Sequence, residues 1–560
     1  MDVGMLFKYF WYLKDLSLVL LSCVLLVLSF PSFDLGLFAW VGLVPFLIVI
    51  NGKTSLYSFF FSFVCGVLFF LGTFLWILEV VKFMPLHHVT LLIYTGSYFG
   101  FFGLMFAFIS RRWGIAPAFL AAPFLWVSLE YVRANFFFLA LPWALLAHSQ
   151  YQYPWIIQFA SITGAYGISF LVVMVNSAFT LAILALLSRV RWYRLPASQV
   201  LSRREMIATV FPAVVLATLA LLYGQITLSR PLVGKKVRIS VVQGNIEQAK
   251  KWDRKYAKFI MQTYADLTRE VAEDQPDLII WPETATPRAI NRDPKLFNEV
   301  KDIAKSAGTY LLVGSSQLHK FKVGDPKSAK YLNSAFLIHP ERTTSRSQRY
   351  DKIRLFPFGE YLPLKGTIPW AYINVPDIGG YVPGKEFTVF ELPPFRFGTT
   401  ICWEDIFPDL VRQFVKKGAQ FIVNITNEAW FGKSAAPYQF VSMSVFRSVE
   451  NRIFLVRCAN TGVSCFIDPY GRIVDRVKDK SGQDIFVRGV LSGSVIPLVS
   501  NTFYTRYGDW LAWLSLPCSL IFLVVTFFKK TSIRTLCPGQ SEGFGKEVQQ
   551  FSLRNCFPDR

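Results

Sequence analysis

The arrangement of apolar residues constrains this chain more than any other feature. Seven long apolar runs precede residue 230, an eighth covers 510–528, and a polar stretch lies between them. A helix needs about 20 predominantly apolar residues to cross a bilayer. The runs at 16–33, 35–50, 56–81, 89–110, 115–131, 156–187, 206–228 and 510–528 approach or exceed that length. So many helices that are apolar all round cannot share one water-soluble core. The expected organisation is a seven-helix membrane domain over 1–228, a polar domain over 229–507, a last membrane helix within 508–530, and a polar cytoplasmic tail over 531–560.

Basic residues orient the runs, because cytoplasmic loops carry an excess of Lys and Arg. Lys8, Lys14, Lys53, Arg111, Arg112, Arg189, Arg191, Arg194, Arg203, Arg204, Lys529 and Lys530 fall on one side. Only Lys82 and Arg133 fall in the loops of the other. One assignment satisfies every loop and puts 229–507 outside the cytoplasm; in a bacterial inner membrane that is the periplasm. Part of the basic excess behind the net charge of +21 sits in these short loops, where it sets topology and faces anionic lipid, and nucleic acid is not an expected partner. The first apolar segment has no convincing small-residue cleavage site, and a cleavable signal peptide is not expected. Glu130 and Arg133, near a helix end, are expected to snorkel or to pair with each other. The loop residues Leu141-Pro142-Trp143 read as an interfacial aromatic belt.

The polar stretch alternates short apolar strands with amphipathic helices. Strands are expected at 237–242, 278–281, 310–314, 333–338, 397–401, 421–424, 454–459 and 463–467, with helices near 253–274, 294–307 and 437–452. Strands this apolar are buried on both faces, which is the mark of an α/β domain. In such folds ligand sites gather at the carboxyl ends of strands. Glu283, Cys402 and Asn427 stand at three of those ends. The eight cysteines include no CxxC pair and the five histidines no HExxH, so a zinc site is not expected. No GxSxG is present to suggest a lipase-type serine.

Three groups carry complementary chemistry. Glu283 lies in WPETATP, Lys352 in YDKIRLFPFGEYLP and Cys402 in ICWEDIFP. A thiol of pKa about 8.5 is mostly protonated at neutral pH and needs a base or a cation beside it. Glu283 can take the proton, Lys352 can favour the thiolate and an oxyanion, and the Trp403 backbone N–H can be a second oxyanion donor. The order Glu283…Lys352…Cys402, with WPE, DKxxLxPFGEYLP and CxE, resembles the nitrilase superfamily. Together with the membrane segments, and with VQGNIEQAKKW, TNEAWFG, PYQ and ANTGVS, it resembles the apolipoprotein N-acyltransferase family over about residues 10–528.

The resemblance implies a multi-pass α-helical membrane domain plus an α/β nitrilase-like αββα sandwich, with Glu283, Lys352 and Cys402 as the catalytic triad. It implies supporting or substrate-binding roles for Trp252, Glu360, Trp403 and Glu404, and for Trp143 in the outer loop. It implies transfer of an acyl chain from a membrane phospholipid, through a Cys402 thioester, to the N-terminal amine of a diacylglyceryl-cysteine lipoprotein. No cofactor enters. The departures are Trp403, often Tyr in the family; Glu428, where Asp is expected; and an outer loop without the Gly-Phe that often precedes Pro-Trp. A membrane-anchored amidase, passing its acyl group to water, is the alternative reading. The stretch 361–380 is rich in Pro and Gly yet apolar, and reads either as a loop packed permanently on the domain or as a mobile lid that touches the outer leaflet with Trp370 at the membrane interface. Pairing of Cys458 with Cys465 is left open.

Overall fold

In the computed structural model, which describes residues 3–80, 85–189, 202–322, 325–341, 348–367 and 380–529, the apolar runs are mostly helical. Six helices among the described residues are long and apolar enough to cross a membrane: Ser55–Thr73, Pro85–Arg112, Ile115–Asn135, Ala165–Leu187, Arg203–Leu228 and Trp510–Phe528. Helix Val3–Leu28 precedes them. Lys82, Arg191, Arg194, Lys530 and the tail lie outside the described residues.

The second apolar run departs from the expected crossing helix. A 3₁₀ turn, Gly36–Phe38, leads into Ala39–Gly42, and after Leu43 the chain restarts as Val44–Ile50. Pro45 has no N–H to offer and interrupts the ladder. The freed backbone groups are taken by side chains. Leu43 N–H donates to Asn176 Oδ1 at 2.9 Å, Asn176 Nδ2 donates to the Ala39 carbonyl at 2.8 Å, and Phe46 N–H donates to Ser22 Oγ at 2.8 Å. Irregular backbone among membrane helices is tolerated where protein buries it, and here it is buried. The sixth run also breaks. Its long helix starts only at Ala165, after Gly164, whose φ of +68° suits glycine.

Glu130 and Arg133 neither snorkel nor rely on each other for hydrogen bonds. Both are buried. Glu130 Oε1 accepts from Leu146 N–H (2.9 Å) and the Trp126 indole (3.0 Å), and Arg133 Nη1 donates to the carbonyls of Leu141 (3.2 Å) and Trp143 (2.7 Å). The loop after helix Ile115–Asn135 is thus folded back onto the charges of that helix.

The polar domain forms two six-stranded sheets. The strands are β1 (Val237–Gln243), β2 (Leu278–Ile280), β3 (Tyr310–Lys322), β4 (Asp325–Ile338), β5 (Gln348–Asp351), β6 (Val389–Leu392), β7 (Phe395–Ile401), β8 (Phe421–Thr426), β9 (Phe454–Ala459), β10 (Cys465–Ile467), β11 (Ile473–Arg476) and β12 (Gly489–Val495). Their orders are β12-β1-β2-β3-β4-β5 and β11-β10-β9-β8-β7-β6. Each sheet has three parallel strands at its centre, β1-β2-β3 and β9-β8-β7. The sheets pack face to face through β1 against β9 and β4 against β7. Helices Ala257–Ala272 and Pro294–Ala307 cover one outer face, and Pro408–Lys416 and Ala436–Asn451 the other, an αββα sandwich. Cys458 and Cys465 are both free thiols in the buried core.

Helix Ala436–Asn451 is buried on both sides. Every residue in it but Tyr438 is buried, because its outer face meets the turn Leu146–Gln150 and helix Ala160–Thr163 of the membrane half. Gln439 makes the joint. Its Oε1 accepts from the indoles of Trp76 (3.0 Å) and Trp143 (2.8 Å), and its Nε2 donates to the carbonyls of Thr73 (2.9 Å) and Pro31 (3.2 Å). Trp143 is therefore not an interfacial belt residue: it is buried, stacked on Trp76 with ring centroids 5.1 Å apart and edge-on to Phe440. Replacing Gln439 by Leu orphans two indole N–H groups and two carbonyls, each costing about 1–3 kcal/mol when buried. Gln439→Leu is expected to lower the thermal unfolding midpoint of the detergent-solubilised protein markedly, read by tryptophan fluorescence; an unchanged midpoint would show the joint to be energetically neutral.

Candidate active site

Cys402 follows β7 and turns the chain out of the sheet with a φ of +58°. A residue with a Cβ pays about 1–2 kcal/mol for left-handed backbone. The corner is held from both sides: Asn424 Nδ2 donates to the Cys402 carbonyl at 3.0 Å, and Ile401 N–H donates to Glu404 Oε2 at 2.8 Å. A 3₁₀ turn, Cys402–Ile406, then leads to helix Pro408–Lys416. The sulfur faces Glu283, Lys352 and Glu360 electrostatically, and the Trp403 N–H donates to it.

Glu283 comes from the loop after β2, and both its oxygens are engaged. Asn333 Nδ2, on β4, donates to Oε1 at 2.7 Å, and the Asn427 backbone N–H, after β8, donates to Oε2 at 2.8 Å. Lys352, directly after β5, is 1% exposed. Its Nζ lies 2.9 Å from Glu360 Oε2 and 3.8 Å from Glu283 Oε1. Asn333 bridges the two acids, since its Nδ2 also donates to Glu360 Oε1 at 3.0 Å. Glu360 in turn closes its own loop by accepting from Phe356 N–H at 2.7 Å. Glu283, Cys402 and the pair Lys352 and Glu360 thus converge from three separate loops, after β2, β7 and β5.

Glu404 joins two of those loops. It is fully buried and accepts from the Tyr350 hydroxyl, from the backbone N–H groups of Ile353 (2.7 Å) and Arg354 (2.9 Å), and from Ile401. The Lys352 loop is thereby tied to the Cys402 corner. Trp403 reinforces the tie. Its ring is buried between Phe356 and Phe407 and its indole donates to the Arg354 carbonyl at 2.7 Å. Trp252 is different: about half exposed, it caps the short helix Gln248–Lys251 at the edge of the site. Trp143 shares no contact with this group and belongs to the domain joint. Trp370, with residues 368–379 of the stretch read as loop or lid, lies outside the described residues. Glu428 is spent on the buried Arg457, which also pairs with Asp405.

Burial pushes the Cys402 thiol well above its ordinary pKa and the Glu283 charge adds to this, while Lys352 and the Trp403 N–H oppose it. The resting group is a thiol. Burial by itself opposes a charge on Lys352, but attraction to Cys402 in its ionised form and to Glu360, Glu283 and Glu404 outweighs it and the ammonium is held above its ordinary pKa. Glu404 is pushed up to about 7 by burial, against the pull of the N–H groups of Arg354 and Ile401, the Lys352 charge and the Tyr350 hydroxyl.

Sequence reasoning missed Asn333 and Lys251. Lys251 Nζ donates to the Glu283 carbonyl at 2.8 Å. Asn is depleted in strand interiors, so Asn333 inside the run LNSAFLI was a legible exception. Lys251 gave no signal, because a KK pair in a polar helix reads as solvated.

An acid, a lysine and a strained cysteine at the strand ends of an αββα sandwich define a domain of the carbon-nitrogen hydrolase class, here docked on a membrane bundle. Residues 238–490 match the carbon-nitrogen hydrolase family, and residues 22–178 match the apolipoprotein N-acyltransferase N-terminal domain. The apolipoprotein N-acyltransferase of Geobacter metallireducens is 36% identical over 92% of this chain and 96% of its own length; that of Chlorobaculum tepidum is 30% identical over 92% and 97%. Among solved structures, Saccharomyces cerevisiae Nit3, a nitrilase-superfamily member, is 17% identical with a TM-score of 0.36, over 50% of this chain and 97% of its own. The chain belongs to the apolipoprotein N-acyltransferase family.

Glu404→Gln puts an NH₂ group against backbone or hydroxyl donors at one of the two acceptor positions. The expected result is a destabilisation of about 1–3 kcal/mol and loss of most acyl-transfer activity. Thermal unfolding with an activity assay checks this, and full activity would show that Lys352 needs no such tie.

Proposed function

We propose that Cys402 takes an acyl chain from a membrane phospholipid as a thioester and passes it to the N-terminal amine of a diacylglyceryl-cysteine lipoprotein. The observation that carries this reading is the convergence of Glu283, Lys352 and Cys402, with the base hydrogen-bonded on both oxygens and the lysine buried. Because the resting sulfur is a thiol, a base must act during attack. Glu283 takes the thiol proton as sulfur adds to the ester carbonyl. The Lys352 ammonium and the Trp403 N–H stabilise the oxyanion. Collapse expels the lysophospholipid alkoxide, which receives the proton from Glu283. The acceptor amine then adds to the thioester, Glu283 takes the ammonium proton, and the departing sulfur recovers it.

The membrane half favours this over the amidase reading. Gln439 and helix Ala436–Asn451 seat the sandwich on the outer loops of the bundle, so the site rides beside the bilayer where both lipid-anchored substrates lie. The Lys and Arg distribution supports a bacterial inner membrane with residues 229–507 in the periplasm. Trp252, half exposed beside Lys251, is the residue we assign to meeting the incoming lipid.

Incubation with phospholipid alone is expected to add one acyl mass to the Cys402 peptide, and a diacylglyceryl lipopeptide to discharge it as an amide. Glu283→Gln should slow adduct formation roughly 10²–10⁴-fold, and Cys402→Ala should form none. Discharge to free fatty acid with the lipopeptide unmodified would favour the amidase; turnover by Cys402→Ala would overturn the thioester.

A further inference from the structure

Lys251 is a buried cation that the steps above leave unused. It ends the four-residue helix Gln248–Lys251, is 1% exposed, and directs Nζ at the backbone of the proposed base, 2.8 Å from the Glu283 carbonyl. The segment that carries it is fastened to the same framework as Glu283. Asn245 N–H donates to the Asn460 carbonyl (2.9 Å), Ile246 N–H to Asn460 Oδ1 (2.9 Å), and Asn460 Nδ2 to the Ile246 carbonyl (2.7 Å). Asn460 Nδ2 also reaches Asn427 Oδ1 (2.9 Å), and Asn427 Nδ2 donates to Gln248 Oε1 (2.8 Å). Asn427 is the residue whose own N–H binds Glu283 Oε2. The lysine and the base are held in one scaffold.

Charge balance gives the lysine a role. Glu283 and Cys402 act on Lys251 electrostatically, and Lys352 lies against the Glu283 carboxylate while pairing with Glu360. Counting Glu283 and Glu360 as carboxylates and Lys352 as an ammonium, these three groups leave one negative charge uncompensated. Moving the Cys402 proton to Glu283 keeps that charge and shifts it onto sulfur. A second ammonium neutralises it. We propose that Lys251 is a positioning and charge-balancing residue of the acyl-transfer site: its ammonium fixes the main chain of Glu283 and offsets the thiolate formed at Cys402. The inference rests on Cys402 being the acylated nucleophile.

Burial brings the Lys251 pKa down to about 7, against the attraction of Glu283 and Cys402. Raising the pH through that value removes the second positive charge. The thiol itself, held well above its ordinary pKa, supplies no compensating ionisation there. Acylation is therefore expected to slow on the alkaline side.

The test follows the rate of Cys402 thioester formation by mass spectrometry, using the full-length protein with phospholipid and no acceptor, at pH values either side of about 7. The unmodified protein should lose rate as pH rises through that value. Lys251→Met should acylate roughly tenfold more slowly on the acid side, the equivalent of one pKa unit on the thiol, and lack the limb. Lys251→Arg, a permanent cation, should recover much of the rate and also lack the limb. The proposal is overturned if Lys251→Met keeps the original rate and profile, or if both variants fall equally with the limb in place, which is the pattern of a space-filling residue. A limb arising from Glu404, which also titrates near 7, would survive in Lys251→Arg and count against Lys251. If the unmodified protein forms no adduct beyond that of Cys402→Ala, the thioester reading falls and this inference with it.

Discussion

Two loops that are far apart in sequence meet on one buried carboxylate. Glu404 has four donors around it, from Tyr350, Ile353, Arg354 and Ile401. Its partners lie on both sides of Lys352 and on the residue before Cys402. A carboxylate accepts on two oxygens and donates on none, so this arrangement uses a group that no amide can replace. The left-handed backbone at Cys402 depends on it, because that conformation persists only where the surroundings over-determine it. The relation of Lys352 to Cys402 depends on it too, since the loop carrying the lysine has its turn pinned there.

The second constraint is the seating of the sandwich on the membrane half. In a soluble αββα sandwich the outer face of a helix such as Ala436–Asn451 would meet water. Here that face meets indole rings, loop backbone and short helices, and Gln439 has all four of its hydrogen-bonding positions filled from the membrane half. The contact is continuous with the hydrophobic cores of both halves. It follows that the apolar helices do more than anchor. The loops between them form a floor shaped for one helix, and the buried Glu130 and Arg133 hold part of that floor in place.

The parts of the site that were legible share a property: each signals itself locally. Glu283 and Cys402 follow short runs of apolar strand residues, and strand ends collect function. Glu360 sits in a Pro- and Gly-marked loop with Lys352. What was not legible depends on which side of a segment is covered. Lys251 and Trp252 are neighbours, yet one is buried against Glu283 and the other is half exposed. Trp143 and Glu130 have the composition of an interface and the surroundings of a core. Residues 35–50 have the hydropathy of a crossing helix, but Pro45 and the side chain of Asn176 convert them into two short pieces.

The sequence by itself determined the division into membrane and polar halves, the alternating α/β character of the polar half, and the three blocks that hold Glu283, Lys352 and Cys402. Each of these is written in hydropathy, period or adjacent residues, which are properties of a segment and survive without knowing its neighbours. Only the tertiary structure decided that Asn333 bridges two acids, that Glu404 ties two loops, that Gln439 joins the halves and that Lys251 points inward. Those are meetings between residues tens to hundreds of positions apart. A hydrogen bond depends on distance and angle in space, and neither is encoded in the spacing of residues along the chain.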